Sequence, residues 1–145
     1  MVKVLFDTSV LVAAFVKAHP QHSIAAQWWK KVNAGEIQGI VSTHSLAEVY
    51  AVLTRLPIQP RINPKIAQQM IQENLKDFQT VPLTSEDYHN VISEMVALNL
   101  TGGAIYDALI AQIAKKENVD CLLTFNPNHF TRLSEDIAQR VNIPL

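Results

Sequence analysis

Several features are scarce in this chain, and each absence excludes a class of protein. A single cysteine, Cys121, in 145 residues excludes an internal disulfide framework and fits the reducing cytoplasm. Its neighbours are apolar, so we expect a buried thiol. The longest apolar run, around Val10–Val16, stops at Lys17 and is too short to span a membrane. Asp7 interrupts the apolar start of the chain, which argues against a secretory signal peptide. We therefore expect a cytoplasmic protein without a membrane segment.

The net charge of the chain is also close to zero. The 12 lysines and arginines nearly balance the 13 acidic residues, which leaves a formal charge of −1. Proteins that bind nucleic acid by backbone charge alone are usually clearly basic. The near-neutral charge does not exclude an enzyme with an acidic, metal-loaded cleft and a local basic rim. With 48% hydrophobic residues and no repeat or linker, residues 1–145 are predicted to form one domain with a packed core.

Common catalytic motifs are missing as well. No nucleophile elbow indicates Ser-His-Asp catalysis, and Gly102-Gly103 does not form a phosphate-loop signature. Of the five histidines, only His19 and His22 are close in sequence, so we do not expect a zinc site.

The apolar pattern predicts strands that alternate with helices. The predicted strands are Val2–Phe6, Gln38–Ser42, Thr80–Leu83 and Cys121–Thr124, with Val141–Leu145 as an edge strand. This order favours right-handed crossovers and an α/β fold of three layers, in which a short parallel sheet of four to five strands carries helices on both faces. Functional residues then gather at the carboxyl ends of the strands.

Two helix starts are predicted from capping residues. Thr8 or Ser9 is expected to cap a helix over Val10–Val16. Ser45 and Glu48 have the spacing of a capping box at the start of a helix that ends at Arg55.

Three acidic residues occupy unusual places. Asp7 ends an apolar strand, where an unpaired buried charge is costly; helix capping or an ion pair is the structural alternative. Asp107 lies in the middle of a very apolar helix, flanked on its face by small residues, although it could simply face solvent. Glu48 follows the second strand, although its capping-box spacing explains it without catalysis.

The pattern of the three acids is more informative than any one of them. Each falls in a segment at the carboxyl edge of the predicted sheet, and Asn126 follows the fourth strand at the same edge. Carboxylates that converge there repel each other unless a cation is present. Oxygen-only ligation suits Mg²⁺ or Mn²⁺, and such ions activate water for phosphodiester hydrolysis.

A cluster of basic residues surrounds the proline-rich segment after the Glu48 helix. Arg55, Arg61 and Lys65 could form a rim that holds RNA phosphates. A solvated loop explains the same residues equally well.

These residues carry a family resemblance. The segments in question are Phe6-Asp7-Thr8-Ser9-Val10-Leu11, Ala47-Glu48-Val49, Tyr106-Asp107-Ala108-Leu109-Ile110-Ala111 and Leu123-Thr124-Phe125-Asn126-Pro127-Asn128-His129-Phe130. In this order and at these separations they resemble the motif series of PIN domains, and more narrowly of the VapC-type ribonuclease toxins of prokaryotic toxin–antitoxin pairs. The resemblance spans nearly the whole chain.

The resemblance implies a Mg²⁺- or Mn²⁺-dependent endoribonuclease that is blocked by an antitoxin and forms a homodimer. It implies that Asp7 and Asp107 are the principal metal ligands and that Glu48 binds the metal or orients water. Ser9, Thr124 and Asn126 match the supporting polar positions. The family often has aspartate where Asn126 stands, and this departure puts a second tightly bound metal in doubt.

Two other functions fit the sequence. A phosphoryl-accepting α/β domain could use Asp7 as its acceptor, although no second acid lies near it. A degenerate PIN-like module could bind a partner without catalysis, and Asn126 is the feature that favours this alternative.

Overall fold

The computed structural model describes all 145 residues and contains five strands and eight helices. The strands are β1 (Lys3–Phe6), β2 (Gln38–Ser42), β3 (Gln79–Val81), β4 (Cys121–Leu123) and β5 (Val141–Asn142). The helices are α1 (Thr8–Phe15), α2 (His22–Asn33), α3 (Thr43–Arg55), α4 (Pro64–Asn74), α5 (Ser85–Leu98), α6 (Ala104–Lys116), α7 (Asn128–Thr131) and α8 (Glu135–Arg140).

All five strands are parallel and follow the order β3-β2-β1-β4-β5. The central strand β1 pairs on one side with β2, where Leu5 lies opposite Ile40, and on the other with β4, where Leu5 lies opposite Leu122. The chain builds outward from β1 in one direction and then returns to add β4 and β5 on the other side. The α/β class and the parallel sheet predicted from the sequence are confirmed, and the C-terminal segment does form the edge strand.

The sheet is covered on both faces, as a parallel sheet requires. Side chains alternate along β1, so Val4 and Phe6 enter one core while Leu5 enters the other. The first core contains 19 buried residues, largely from α1 to α4, and the second contains 17, largely from α5, α6 and α8. Because both faces of β1 are covered, its three residues before Asp7, Val4, Leu5 and Phe6, are all apolar and buried.

Close packing between β2 and the segment before β3 depends on a glycine. A Cβ atom on Gly39 would lie 2.7 Å from ring carbons of Phe78 and 2.8 Å from a methyl group of Val32. The Phe78 ring also packs edge-on against Phe6, with ring centroids 5.0 Å apart. Gly39 therefore leaves the space that the Phe78 ring occupies.

The caps predicted at Thr8 or Ser9 and at Ser45 were wrong. Asp7, rather than Thr8 or Ser9, is the N-cap of α1, and its carboxylate accepts a hydrogen bond from the Thr8 backbone N–H at 2.8 Å. Helix α3 begins directly after β2, and the Ser42 hydroxyl caps it by accepting from the His44 N–H at 3.2 Å. Because β2 ends at Ser42 and α3 begins at the next residue, the helix starts earlier than predicted, and Ser42 caps it in place of Ser45.

The C-terminal part contains a helix that the sequence pattern did not predict. Helix α8 has six residues, begins after Ser134, and packs Ile137 into the second core. No helix in the structure is long and apolar enough to cross a membrane.

Candidate functional site

The sheet order creates a switch point between β1 and β4, because the connections leave these neighbouring strands in opposite directions. Asp7 follows β1, and Thr124 follows β4. Crevices at such points, outside the carboxyl ends of parallel strands, are the usual binding sites of open α/β sheets. The fold thus places Asp7 where a site is expected.

Asp7 is held by a set of short polar contacts. Its Oδ1 accepts from the Thr8 N–H, and its Oδ2 accepts from the hydroxyl groups of Thr124 at 2.8 Å and Ser9 at 3.1 Å. The residue is 5% exposed. Burial raises the pKa of Asp7, although the three hydrogen bonds act in the opposite direction. Its position is fixed, and its negative charge is poorly solvated.

Asp107 lies in the first turn of α6 rather than in the middle of a helix. The side chain is half-buried, so the alternative that Asp107 simply faces solvent is wrong. Burial, followed by repulsion from Asp7, raises the pKa of Asp107 to about 6. Its Oδ2 lies 3.6 Å from Nδ1 of His129, which follows β4. The two aspartates therefore interact, although 100 residues separate them.

Glu48 lies in the second turn of α3 and takes no part in a helix cap. Burial, followed by repulsion from Asp7 and from Asp107, raises the pKa of Glu48 to about 7. Its Oε1 is buried and has no hydrogen-bond partner. His44 Nε2 approaches this oxygen to 3.0 Å, but the contact does not have hydrogen-bond geometry. The site thus contains a buried carboxylate oxygen whose bonding is incomplete.

The three carboxylates open into one cavity of about 520 Å³. Its wall comes from residues that follow β1 and β4, from α3, and from the start of α6. The lining residues are Asp7, Thr8, Ser9, Val12, His19, Gln21, Glu48, Val52, Gly103, Tyr106, Asp107, Phe125, Asn126 and His129. The other large cavity, about 480 Å³ between α3 and α4, has no acidic residue in its wall.

The oxygen atoms of the three carboxylates are the ligand type that a divalent ion such as Mg²⁺ prefers. No group of three or more His, Cys, Asp and Glu side chains is arranged so that these side chains alone could hold a metal ion. The residues fit an open site instead, because the orphaned Oε1 of Glu48 and the mutual repulsion of three carboxylates are both relieved by a cation. Mg²⁺ usually binds through one or two carboxylates and keeps several waters.

The supporting polar residues link the two strand ends. The Thr124 hydroxyl donates to Asp7 and also accepts from the backbone N–H of Asn126 at 2.9 Å. The Ser9 hydroxyl donates to Asp7 and accepts from the Phe125 N–H at 3.3 Å. The structure thus brings Ser9 and Thr124 onto Asp7, and it places Asn126 in the cavity wall.

The basic residues named from the sequence lie away from the carboxylates. Arg55, Arg61 and Lys65 are exposed, and none lines the acidic cavity. Lys65 borders the cavity between α3 and α4, and Arg55 borders a smaller one at the end of α3. A role in holding RNA stays a prediction for these three residues.

The surface of the acidic cavity also contains three residues that were not predicted as site residues from the sequence. Tyr106 and His129 line the cavity, and His44 stacks on Tyr106. His44 is partly buried against Tyr106 and Glu48. Tyr106 and His129 each lie next to or within a selected motif, which is the signal that could have indicated them.

The fold and the site together define an α/β domain with an acidic centre at the switch point of a parallel sheet. Residues 4–136 match the family model of the PIN domain. The chain belongs to the PIN-domain family, which confirms the resemblance found in its motifs.

Relatives and solved structures agree with this assignment. Ribonuclease VapC27 of Mycobacterium tuberculosis is 32% identical over 114 residues, which cover 79% of this chain and 78% of that protein. VapBC2 of Rickettsia felis, in a crystal structure with a promoter DNA fragment, matches with a TM-score of 0.70 at 19% identity over 97% of this chain and 98% of the other. A toxin–antitoxin complex of Klebsiella pneumoniae matches with a TM-score of 0.67 at 19% identity over 98% of both chains. At these identities the two structures establish the fold alone.

Proposed function

We propose that this protein is a metal-dependent endoribonuclease of the VapC type and the toxin of a toxin–antitoxin pair. One observation carries the proposal: Asp7, Glu48 and Asp107 converge on one cavity of a PIN domain, where burial raises the pKa of all three. The similarity to a VapC ribonuclease supports the substrate class. The similarity to a toxin–antitoxin complex supports an antitoxin partner.

In this proposal Asp7 and Asp107 hold a Mg²⁺ or Mn²⁺ ion, and Glu48 binds it or orients water. A bound ion of this kind lowers the pKa of water and stabilises negative charge on the phosphoryl group. Thr124 and Ser9 keep the Asp7 carboxylate in one orientation through their hydrogen bonds. The Glu48 carboxylate, with an unpaired oxygen and a pKa of about 7, is suited to accept a proton from water near neutral pH.

The partner and location follow from the same proposal. The protein acts in the cytoplasm, where its RNA substrate occurs, and its lone buried cysteine is compatible with that compartment. A homodimer is expected from the family resemblance, and light scattering on the purified chain tests it.

The function is tested by metal-dependent cleavage of RNA. Purified protein should cut RNA with Mg²⁺ or Mn²⁺ and lose this activity when EDTA removes the ion. Calorimetry should detect binding of either ion without RNA. A non-catalytic module predicts neither cleavage nor metal binding. A phosphoryl-accepting domain predicts a mass increase on incubation with a small phosphodonor, and wild-type protein should show none.

Metal binding should strengthen as the pH rises from 5.5 to 8. Glu48, with a pKa of about 7, and Asp107, with a pKa of about 6, hold protons at the lower pH, and these must leave before a cation binds. Loss of both protons corresponds to a gain in affinity of roughly 100-fold. Calorimetry at four pH values measures the slope. An affinity that is constant over this range contradicts the proposed ligand set.

Replacing Thr124 by valine should reduce cleavage while the fold is retained. Valine has nearly the same shape but removes the hydroxyl that donates to Asp7 at 2.8 Å. Loss of such an outer contact typically costs about 10- to 100-fold in activity or metal affinity. The control is Thr54→Val, since the Thr54 hydroxyl donates to a backbone carbonyl on the exposed side of α3. Equal losses in both variants would assign the effect to stability instead.

A further inference from the structure

An exposed aromatic side chain lies beside the acidic centre and takes no part in holding the carboxylates. Tyr106 is 51% exposed and lines the same cavity as Asp7, Glu48 and Asp107. A large apolar ring in this position is poorly explained by packing, because neither hydrophobic core includes it. On α6, Tyr106 directly precedes Asp107, which is a proposed metal ligand.

The orientation of this ring is fixed from one side. His44 stacks on Tyr106 with ring centroids 5.1 Å apart and planes inclined by 5°. His44 belongs to the first turn of α3, and its Nε2 lies 3.0 Å from Glu48 Oε1. One face of the tyrosine ring is therefore covered, while 51% of the residue stays exposed. The pair forms a two-ring stack at the edge of the cavity.

We propose that Tyr106, backed by His44, is a stacking platform for one base of a single-stranded RNA, next to the phosphate that is cleaved. Bases stack on aromatic side chains whatever their sequence, because every base has a π-face. The inference rests on the proposed function, since it assigns the substrate's nucleotide to a position beside the carboxylates. Stacking also gives a chain with a net charge of −1 a way to hold a nucleic acid that does not depend on charge.

Binding of RNA in a cleavage-deficient background tests this platform. The probe is a fluorescein-labelled, mixed-sequence single-stranded RNA of about ten nucleotides, and binding to Asp7→Asn protein is measured by anisotropy with Mg²⁺. Adding Tyr106→Leu should weaken binding by about 5- to 100-fold. Tyr106→Phe should bind within about twofold, because it keeps the ring and removes the hydroxyl. Tyr88→Leu, which changes an exposed tyrosine on α5, is the matched control and should have no effect.

A second measurement identifies the contact directly. RNA that carries 5-iodouridine should photocrosslink to Tyr106, and mass spectrometry of the digested protein should locate the adduct there. The Tyr106→Leu protein should lose this adduct, and the Tyr88→Leu protein should keep it.

The outcomes separate this inference from the proposed function. If wild-type protein cleaves RNA but Tyr106→Leu leaves both binding and crosslinking unchanged, the platform is disproved and the ribonuclease proposal stands; the exposed ring is then free to contact a partner protein. If Tyr106→Phe weakens binding as much as Tyr106→Leu, the hydroxyl rather than the ring is responsible, and stacking is also disproved. If the Asp7→Asn protein, which keeps Tyr106, does not bind RNA at all, the platform is contradicted as well. If Tyr106→Leu weakens RNA binding and removes the crosslink but wild-type protein never cleaves RNA, the platform stands and the ribonuclease proposal fails.

Discussion

Asp7→Asn is expected to lower RNA cleavage by about 10³-fold or more. The change removes the charge of a proposed metal ligand, and metal stabilisation of a phosphoryl transition state contributes several kcal/mol, each 1.4 kcal/mol being a factor of ten. Single-turnover cleavage at saturating Mg²⁺ measures the loss. Asp77→Asn, which alters an exposed aspartate before β3, is the control and should cleave as wild type does. Retention of cleavage by Asp7→Asn would falsify the assignment.

A stability measurement on the same variant excludes simple unfolding as the cause. Burial raises the pKa of Asp7 in the folded state above its ordinary value of 3.8. The unfolded chain therefore ionises Asp7 at a lower pH than the folded chain does, so the folded state loses stability as the pH rises from 3.8 through the raised pKa. Asparagine removes that cost. The metal-free variant should melt at a temperature at least as high as the wild type at pH 8, as followed by circular dichroism.

Gly39→Ala is expected to cost about 1–3 kcal/mol of stability. The new Cβ would lie 2.7 Å from the Phe78 ring and 2.8 Å from Val32, so the ring or the strand must shift. For a chain of this size the loss corresponds to a fall of roughly 4–12 °C in melting temperature. Gly39→Val should lower it further.

Two variants give this prediction its controls. Gly103→Ala makes the same chemical change where the nearest atom outside the local backbone, in the Tyr106 ring, lies 4.0 Å away, so its effect should stay within about 1 kcal/mol. Phe78→Leu should offset part of the loss in a double variant with Gly39→Ala, because neighbouring substitutions are not additive. A melting temperature unchanged by Gly39→Ala contradicts the packing described for β2.

The convergence of Asp7 and Glu48 was predictable because it depends on topology alone. Once strands and helices alternate, residues that follow parallel strands meet at one edge, whatever the details of packing. Asp7 and Glu48 were placed correctly on that basis, and Asp107 was found because an acid stands out in an apolar helix. None of this required knowledge of side-chain contacts.

Other features depend on competition between nearby groups and were not predictable. Ser42, Ser45 and Asp7 all have side chains able to cap a helix, and the direct passage from strand to helix decided which ones do so. The stacking of His44 on Tyr106 joins two residues that are far apart in the chain, and no periodicity signals it. Helix α8 is short, and its one large apolar residue, Ile137, leaves too little pattern to distinguish a helix from a loop.

Cys121 on β4 has a practical consequence for experiments on this chain. Its thiol is buried, and burial raises its pKa to about 11, so very little of the reactive thiolate forms at neutral pH. These 145 residues contain no other cysteine. A cysteine introduced on the surface should therefore be the one position that maleimide reagents modify in the folded protein. Fluorophores or spin labels can then be attached at a chosen place without first removing the native thiol.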